Sequence, residues 1–583
     1  MSSTLSPHAA PHAAPTAGPP TAAPAAVSSA SGAALANRPA LSGFNGGRRV
    51  PLPINEPIKS YAPGSLEKAD LKARLASMAN ERVDIPIVIG GKEFRTGKTS
   101  KVTMPHAHQH VLGEFHHATA QHVQDAIAAA CAAQRDWANW AWEDRIAIFL
   151  KAADLLCGPW RSTLNAATML GQSKTVFQAE IDAACEMADF FRFNAQYAQE
   201  IYAEQPVQGP GVWNQLDYRP LEGFVLAVTP FNFTAIGGNL CGAPAMLGNV
   251  VLWKPASSSM LSSYYTMKLL EAAGLPPGVI NFIPGDPVAI SKAALDHRDL
   301  AGVHFTGSTG VFNAMWKTIG ANMGTYRSYP RIVGETGGKD FILVHASADA
   351  QVAAVAAVRG AFEYQGQKCS AASRLYVPRS LWPKVKDSMV AMMKDIKVGD
   401  TRDFRNFMGA VIDQKAFDRI GGYLADAKAN ATIIQGGGAR GETGWFIDPT
   451  LVETKDPSYR LMCEEIFGPV LTVHVYDDAK WHETLAIVDS TSPYALTGAV
   501  LAQDRAALVE ASLALRNAAG NFYLNDKCTG AVVGQQPFGG ARGSGTNDKA
   551  GSKWNLMRWV SPRTIKETFT PATDYRYPFL GAE

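Results

Sequence analysis

The sequence predicts an α/β protein with doubly wound, largely parallel sheets. From about residue 222 to residue 310, short apolar strand patterns alternate with helical patterns, which is typical of βαβ units. A second alternating region runs from Ile342 to about Leu501. The chain has 583 residues, of which 46% are hydrophobic and 18% charged, so it can build a large core. About four average domains, or two to three larger ones, would fit this length.

Charge, hydropathy and cysteine spacing exclude several classes of protein. The 54 basic and 52 acidic side chains leave a net charge of +2, which gives no basic field for nucleic acid. No apolar run reaches the roughly 18 residues of a membrane-spanning helix. The seven cysteines are scattered singly without a CxxC pair, so neither a disulfide framework nor a thiolate metal site is expected. We therefore expect a soluble enzyme of a reducing compartment, with no metal, nucleic-acid or membrane partner.

Residues 1–50 differ in composition from the rest of the chain. Ala, Pro, Ser and Gly dominate, and the first acidic residue is Glu56. Such a segment cannot bury enough apolar surface to offset its chain entropy, so we predict a disordered extension. A transit peptide is the alternative, because transit peptides are also poor in acidic residues. The first arginine is Arg38, however, and the many prolines would break an amphipathic helix, so the disordered extension is preferred.

Individual elements are predicted from apolar periodicity and from turn residues. Globular sequence is expected to begin near Asp84. The predicted strands are 85–89, 224–228, 250–253, 280–284 and 303–305, and the predicted helices are 145–156, 178–197, 262–273 and one from about 311. Gly274 is expected to end the helix at 262–273, because glycine readily takes the left-handed conformation of a helix C-terminus.

A glycine turn follows the strand at 303–305. It contains Gly307 and Gly310 and leads into a helix. The free N–H groups and the dipole at that helix N-terminus suit a pyrophosphate. The pattern is shorter than the GxGxxG fingerprint, so an ordinary βα turn without a ligand remains the alternative.

Cys369 and Glu335 are the strongest candidates for chemistry. Cys369 follows Gly366-Gln367-Lys368, and a lysine beside a cysteine can favour the nucleophilic thiolate. The six other cysteines fit the alternative of an inert packing residue. Glu335 lies between glycines, where substrate and water could approach a general base closely. Its alternative is a solvated glutamate in a turn.

Two further polar sites lie in apolar surroundings. Asn232 lies between two phenylalanines at the end of a strand. Its amide could donate to an oxyanion, although capping a helix is the commoner role. Glu464 and Glu465 precede another strand pattern, and their carboxylates could simply be solvated.

Taken together and in this order, these segments resemble the aldehyde dehydrogenase superfamily. The matching blocks are TPFNF at 229–233, WKPAS at 253–257, FTGSTG at 305–310, GETGGK at 334–339, GQKCS at 366–370, EEIFGPV at 464–470 and QPFGGARGSG at 536–545. The resemblance covers about residues 85–570. It implies a Rossmann-type NAD-binding domain, an α/β catalytic domain and a small β oligomerisation element.

The resemblance also implies a role for each matching residue. Cys369 would be the nucleophile that forms a thiohemiacetal, and Glu335 would activate water to hydrolyse the resulting thioester. Asn232 would hold the oxyanion together with the backbone N–H of Cys369. The implied cofactor-binding residues are Thr229, Lys254, Gly307, Ser308, Thr309, Gly310, Val311, Glu465 and Phe467, with Lys254 at the adenine-side ribose and Glu465 at the nicotinamide ribose.

Longer blocks indicate a branch of the superfamily. These include QAEIDAA at 178–184, FEYQGQKCSA at 362–371 and GQQPFGGARGSGTNDKAG at 534–551. They are similar to enzymes that oxidise L-glutamate γ-semialdehyde to L-glutamate with NAD during proline degradation. A loop with Gly543 and Ser544, helped by Ser370, would bind the substrate carboxylate. Glu186 would meet the ammonium group, or else it is an ordinary glutamate on a helix surface.

Several alternatives stay open at this point. Many NAD-selective relatives carry a glutamate where this chain has Ser257, so some use of NADP is expected beside NAD. Oxidation of another semialdehyde and a non-catalytic structural role on the same fold are the competing functions. Relatives that acylate coenzyme A lack the glutamate base, so Glu335 argues against that activity.

The resemblance divides the chain into segments. We expect a cofactor domain at 51–333, a catalytic domain at 334–545 and a closing or oligomerisation segment at 546–583. A hairpin at about 205–220 would project from the cofactor domain and build a homodimer or a dimer-based oligomer. The enzyme is expected in the cytoplasm of a bacterium, which is preferred, or in the mitochondrial matrix of a eukaryote.

Overall fold

The computed structural model describes residues 46–582, so most of the predicted extension lies outside the described residues. The folded chain begins well before Asp84, which corrects the expected start. The Val50 N–H donates to Gln199 Oε1 at 2.7 Å, and the Glu56 N–H donates to Asp189 Oδ1 at 2.7 Å. This segment packs through polar contacts rather than through apolar periodicity, and periodicity was the signal used to predict globular sequence.

A seven-stranded sheet lies in the N-terminal half. Its first five strands are parallel to one another, and each of the last two strands is antiparallel to the strand before it in the sheet. In spatial order the strands are Arg331–Glu335, Leu300–Thr306, Phe224–Val228, Val250–Lys254, Ile280–Phe282, Ile87–Ile89 and Lys92–Phe94.

The predicted strand 85–89 is divided at Pro86, because proline has no N–H for a sheet ladder. Its first part, Val83–Ile85, belongs to a three-stranded sheet with Ala107–His116 and Thr99–Met104. Its second part, Ile87–Ile89, joins the seven-stranded sheet.

A second seven-stranded sheet lies in the C-terminal half and is parallel except at one edge. Its order is Thr432–Gln435, Thr450–Thr454, Val470–Tyr476, Ala372–Pro378, Asp340–Val344, Thr497–Leu501 and Asn521–Leu524. Along the strand Asp340–Val344, Ile342 and Val344 enter one apolar core, while Phe341 and Leu343 enter another. The sheet is therefore covered on both faces, which explains its nearly continuous apolar strands.

Helices connect the strands and begin with one that the sequence patterns missed. They are Leu66–Asn80, Ala120–Trp137, Trp142–Cys157, Arg161–Gln172, Val176–Ala179, Met187–Ala203, Thr234–Met246, Met260–Ala273, Pro287–Leu295, Thr309–Ala321, Ala350–Phe362, Trp382–Asp395, Gln414–Asn430, Arg460–Cys463, Trp481–Ser490, Arg505–Ala514 and Lys553–Met557. A π-helical stretch, Glu180–Glu186, interrupts the predicted helix at 178–197. Gly274 follows Met260–Ala273 with φ of 100°, the left-handed conformation that was expected there.

The segment at 205–220 contains one strand rather than a two-stranded hairpin, and its first residues lie along that strand through the side chains of Gln205 and Gln208. Its strand Val212–Pro220 pairs antiparallel with Val560–Thr568, more than 300 residues later in the chain. No local pattern indicates this partner, because strand pairing between distant segments leaves no local signal. Two short pairs complete the strands, Ala439–Arg440 with Phe446–Ile447 and Tyr494–Ala495 with Ala541–Arg542. Within residues 46–582, no helix has the length and apolar character needed to cross a membrane.

Candidate active site

The chain passes from the first large sheet to the second through the segment that contains Glu335. Glu335 ends the edge strand Arg331–Glu335 and pairs in parallel with Thr306. The N–H of Gly307 donates to the backbone oxygen of Glu335 at 3.2 Å. The candidate cofactor turn and the candidate base are therefore neighbours at the carboxyl ends of parallel strands, where α/β sheets commonly bind ligands.

Two glycines bring Glu465 and Cys369 close together. A Cβ on Gly337 would lie 2.3 Å from Glu465 Oε2, and a Cβ on Gly338 would lie 2.2 Å from the backbone oxygen of Cys369. The N–H of Gly338 also donates to Glu465 Oε1 at 2.9 Å. A larger residue at Gly338 would overlap the backbone of Cys369, and one at Gly337 would overlap the carboxylate of Glu465, so glycine is favoured at both positions.

A strained loop presents Cys369. Tyr364 and Gln365 have φ of 51° and 55°, the left-handed region that non-glycine residues rarely enter. Gln365 Nε2 donates to the backbone oxygens of Ser173 at 3.0 Å and Ala410 at 2.7 Å. These buried hydrogen bonds hold the strained conformation, a feature that is common at functional sites.

Cys369 is more enclosed than the sequence suggested, with 9% of its surface exposed. Burial raises the pKa of its thiol well above the ordinary value, and the carboxylates of Asp340, Glu465 and Glu335 raise it further. Burial and these carboxylates thus favour the protonated thiol over the thiolate.

The expected stabilisation of the thiolate by Lys368 is wrong for this structure. Lys368 Nζ lies 3.1 Å from Glu363 Oε2, with both side chains almost fully buried. The charge of this lysine is thus engaged with Glu363 instead of being available to the Cys369 thiolate.

The carboxyl group of Glu335 is enclosed by protein and hydrogen-bonded, so it is not a freely solvated glutamate in a turn. The residue keeps partial exposure, while dense protein around its carboxyl raises the pKa well above the usual range. The Gly540 N–H donates to Glu335 Oε2 at 3.2 Å. That hydrogen bond and the charge of Lys549 lower the pKa, whereas Asp548 raises it.

Asn232 lies beside the loop of Cys369. The side chain is 3% exposed, and Nδ2 donates to the backbone oxygen of Gln367 at 3.1 Å. Helix Thr234–Met246 starts two residues later, and its first two N–H groups donate to the carboxylate of Asp182. The amide of Asn232 is therefore free of the helix-capping role and can serve an oxyanion instead.

The expected cofactor-binding residues line the ends of the first sheet. Lys254 ends a central strand with 6% exposure, and burial lowers its pKa to about 8. Thr229 is buried and accepts a hydrogen bond from the Trp253 indole at 2.9 Å. Ser308 is the N-cap residue of Thr309–Ala321.

The turn after the strand Leu300–Thr306 is tight at Gly307 and open at Gly310. A Cβ on Gly307 would lie 2.7 Å from the ring of Phe305, so glycine keeps the turn tight, while nothing lies within 4 Å of a Cβ on Gly310. Val311 follows, 49% exposed. Phe467 has φ of 54°, and its ring lies 5.8 Å from that of Phe231.

The predicted anchor for the substrate carboxylate is corrected by the structure. Ser544 is completely buried, and its Oγ accepts from the Ala495 N–H at 3.1 Å. The Gly543 N–H donates to Pro493 at 2.9 Å. Both groups are thus committed to packing the loop against its neighbours, and neither is presented to a substrate.

Ser370 and Glu186 are the two remaining residues expected at the substrate. Ser370 Oγ lies 2.8 Å from Thr529 Oγ1, which brings the loop after residue 528 beside Cys369. Glu186 ends the π-helical stretch and is half-buried. Burial and nearby carboxylates raise its pKa, while Lys174 and Lys368 lower it, so Glu186 is not a surface-helix glutamate.

Sequence reasoning missed a buried ion pair beneath Asn232. Lys174 Nζ lies 2.7 Å from Asp182 Oδ2, with both side chains fully buried, and 3.9 Å from the ring centroid of Phe233. Charged residues in an apolar helical pattern were the available signal, because a buried charge needs a partner.

Residues 93–565 match the aldehyde dehydrogenase family. The chain belongs to this family, so the fold and enzyme classes expected from the sequence are confirmed.

Several similar proteins are named as pyrroline-5-carboxylate dehydrogenases. The mitochondrial delta-1-pyrroline-5-carboxylate dehydrogenase of Dictyostelium discoideum is 54% identical over 536 residues, which cover 91% of this chain and 96% of that protein. The human mitochondrial protein of the same name is 50% identical and covers 90% of this chain and 94% of its own length. The crystal structure of the Mycobacterium tuberculosis delta-pyrroline-5-carboxylate dehydrogenase bound with NAD has 52% identity and a TM-score of 0.89, covering 92% of this chain and all of that one.

Proposed function

We propose that this protein oxidises L-glutamate γ-semialdehyde, the open form of 1-pyrroline-5-carboxylate, to L-glutamate with NAD. This is the second step of proline degradation. The convergence of Cys369, Glu335 and Asn232 where the two large sheets meet carries the proposal. The shared name of relatives at about 50% identity or more over nine-tenths of the chain supports the choice of substrate.

The three residues divide the chemistry between them. The Cys369 thiol first loses its proton to water. The thiolate then attacks the aldehyde carbon and forms a thiohemiacetal, whose oxyanion receives hydrogen bonds from the Asn232 amide and the Cys369 N–H. NAD, when bound, supplies the acceptor for the hydride that leaves this carbon. A thioester on Cys369 remains. Glu335 takes a proton from water, the hydroxide attacks the thioester, and glutamate leaves as the thiolate is restored.

The residues at the ends of the first sheet would hold NAD. Lys254 and the turn at Gly307–Gly310 suit the ribose and the pyrophosphate, and Glu465 suits the nicotinamide ribose. Ser257 is exposed and uncharged. A 2′-phosphate would meet no carboxylate there, so we expect measurable but weaker use of NADP.

The tail of the substrate would be held between Ser370 and the loop after Thr529. The 2.8 Å contact between these two hydroxyls supports this position over Ser544. Gly530 is exposed with φ of 102°, so its backbone can approach a carboxylate closely. Glu186 would face the ammonium group of the same substrate.

The decisive experiment compares kcat/KM for glutamate γ-semialdehyde, succinic semialdehyde and propanal, each with NAD and NADP. We expect the first substrate with NAD to be preferred by at least about 10-fold, because a charged tail contributes roughly 1.5–3 kcal/mol per hydrogen bond. Preference for succinic semialdehyde would establish the alternative dehydrogenase. A folded protein that binds NAD without turning over any aldehyde would establish a structural role.

We also propose a homodimer in which the two-stranded sheet of Val212–Pro220 and Val560–Thr568 contacts the second copy. Trp213 on the first of these strands is 51% exposed, which supports a partner surface there. Several eukaryotic relatives are mitochondrial by name. We propose the mitochondrial matrix as the working compartment in a eukaryotic host and the cytoplasm in a bacterial one.

A further inference from the structure

Lys549 lies beside the candidate base without touching it. Its Nζ donates to the backbone oxygens of Gly520 at 2.7 Å and Gly539 at 3.0 Å. Asn521 Oδ1 lies 3.4 Å away. Lys549 itself has φ of 53°, a left-handed conformation that a non-glycine residue keeps only when its surroundings enforce it.

One peptide group connects Lys549 to Glu335. The carbonyl of Gly539 accepts from Lys549, and the N–H of the same peptide, on Gly540, donates to Glu335 Oε2 at 3.2 Å. Consecutive hydrogen bonds polarise one another, so a cation on the carbonyl strengthens the donor on the nitrogen. The ammonium therefore acts on the carboxylate both through this peptide and directly through space.

Burial and Asp548 oppose Lys549, because they raise the pKa of Glu335 and favour the protonated carboxyl group. Asp548 precedes Lys549 and disfavours the ionised carboxylate, as burial does. Asp548 is itself engaged with Thr546 and lies 3.4 Å from Arg558. Lys549 is the cation that offsets these effects, since its charge and the Gly540 hydrogen bond favour ionised Glu335.

We propose that Lys549 is a positioning residue for Glu335. It fixes the peptide that holds the carboxylate, and its charge favours the ionised form of Glu335, which accepts a proton from water during deacylation. This inference rests on the aldehyde-oxidation part of the proposed function and not on the identity of the substrate. The side chain touches neither aldehyde nor cofactor in this role.

The test measures the pH dependence of deacylation in Lys549→Met and Lys549→Arg, beside Lys553→Met as a surface control. Lys553 is an exposed lysine paired with Glu204. In Lys549→Met we expect the acidic limb of the steady-state rate to move up by about one pH unit, because removing an opposite charge raises the pKa of a carboxyl group. Below that limb, a burst of one NADH per site should precede a roughly 10-fold slower steady rate. Lys549→Arg and Lys553→Met should keep the wild-type limb.

Three results would overturn the proposal. An unshifted limb in Lys549→Met would show that the charge has no effect on Glu335. An equal shift in Lys549→Arg would assign the effect to shape alone, and loss of the burst and of thermal stability in both variants would assign a purely structural role. All rates are measured with an aldehyde that the wild-type enzyme turns over, propanal included. A mistaken substrate proposal would therefore appear in the wild-type comparison and leave this test intact.

Discussion

Cys369 and Glu335 share a protein environment that favours their neutral forms. Burial raises the pKa of both groups, and the nearby carboxylates add to the effect at the thiol. Free thiolate would be a reactive liability in a resting enzyme, so a protonated thiol protects the nucleophile from oxidation until substrate arrives. Ionisation of each group is thus a step that the surrounding residues must assist.

Replacing Cys369 with alanine should abolish oxidation and leave NAD binding intact. The thioester cannot form without the sulfur, whereas the proposed cofactor residues belong to other segments. Steady-state turnover and calorimetric titration with NAD measure the two properties. Cys463→Ala, at a half-exposed cysteine with no proposed role, is the matched control and should remain active. Turnover above about 1% of wild type in Cys369→Ala would contradict the assignment.

Glu335→Gln should slow thioester hydrolysis more than acylation. The amide keeps the shape of the side chain but cannot accept the proton of the attacking water. Stopped-flow absorbance should therefore record one NADH per active site, followed by a stalled steady rate. A slow linear trace without a burst would mean that the glutamate acts mainly before the acyl-enzyme forms.

Ser544→Ala should lower stability without changing substrate preference. The buried hydroxyl accepts from the Ala495 N–H, and leaving that donor unsatisfied costs about 1–3 kcal/mol. Urea unfolding measures the loss, and kcat/KM for glutamate semialdehyde and propanal should change together. Ser370→Ala is the comparison and should weaken the semialdehyde by roughly 10- to 100-fold more than propanal. A selective loss in Ser544→Ala would instead restore its role as the substrate anchor.

Among the elements, the π-helical stretch Glu180–Glu186 links stability to the site. Its wider turn places Asp182 at the N-terminus of Thr234–Met246, where a carboxylate is favoured by the free N–H groups. Lys174 neutralises this carboxylate and packs on the ring of Phe233. The ion pair therefore supports the chain segment that carries Asn232.

Asp182→Ala should destabilise the protein by about 3–5 kcal/mol, because Lys174 would remain buried without its partner. The activity of the folded fraction should fall as well, since the N–H groups of Thr234 and Ala235, just after Asn232, lose the carboxylate that accepts from them. Denaturant unfolding and kcat at low temperature measure the two effects. The double variant Lys174→Met, Asp182→Leu removes both charges and should regain part of the stability. Equal stability of the single and double variants would show that the unpaired charge is not the cause.

For the whole molecule, the segment from residue 46 to residue 62 ties the chain start to the helices. Glu56 forms ion pairs with Arg161 at 2.6 Å and Arg192 at 2.8 Å. The hydroxyl of Tyr61 donates to Glu180 Oε2 at 2.7 Å. These contacts connect the start of the folded chain to the π-helical stretch that supports the active site.

Two truncations should show which part of the chain start is needed for thermal stability and activity and which part is not. Deletion of residues 1–45 should leave Tm and activity nearly unchanged, because their composition offers neither a core nor a catalytic group. Deletion of residues 1–62 should lower the Tm, since Arg161 is 3% exposed and would lose Glu56. Differential scanning calorimetry of both truncations decides between these roles. A Tm loss already present in the shorter deletion would show that the extension packs on the fold.

The sequence by itself determined the α/β class, and its motifs indicate Cys369, Glu335 and Asn232 as the proposed nucleophile, base and oxyanion amide. Strand and helix periodicity is a local property, and the motifs around Cys369, Glu335 and Asn232 are short runs whose residue types are set by backbone geometry and chemistry. Gly337 and Gly338 illustrate this, because the overlap that a side chain would cause there explains why the motif contains glycine. A short motif of this kind therefore predicts its local geometry from its residue types alone.

Only the tertiary structure decided which distant groups satisfy one another. Ser544 and Lys549 lie in the same glycine-rich region. The Ser544 hydroxyl accepts from the Ala495 N–H, whereas Lys549 acts on Glu335 through the Gly539–Gly540 peptide. The same holds for the pairing of Val212–Pro220 with Val560–Thr568. Hydrogen bonds and charges act over a few ångströms in space, whereas these partners are separated by tens to hundreds of residues along the chain, so no local pattern encodes them.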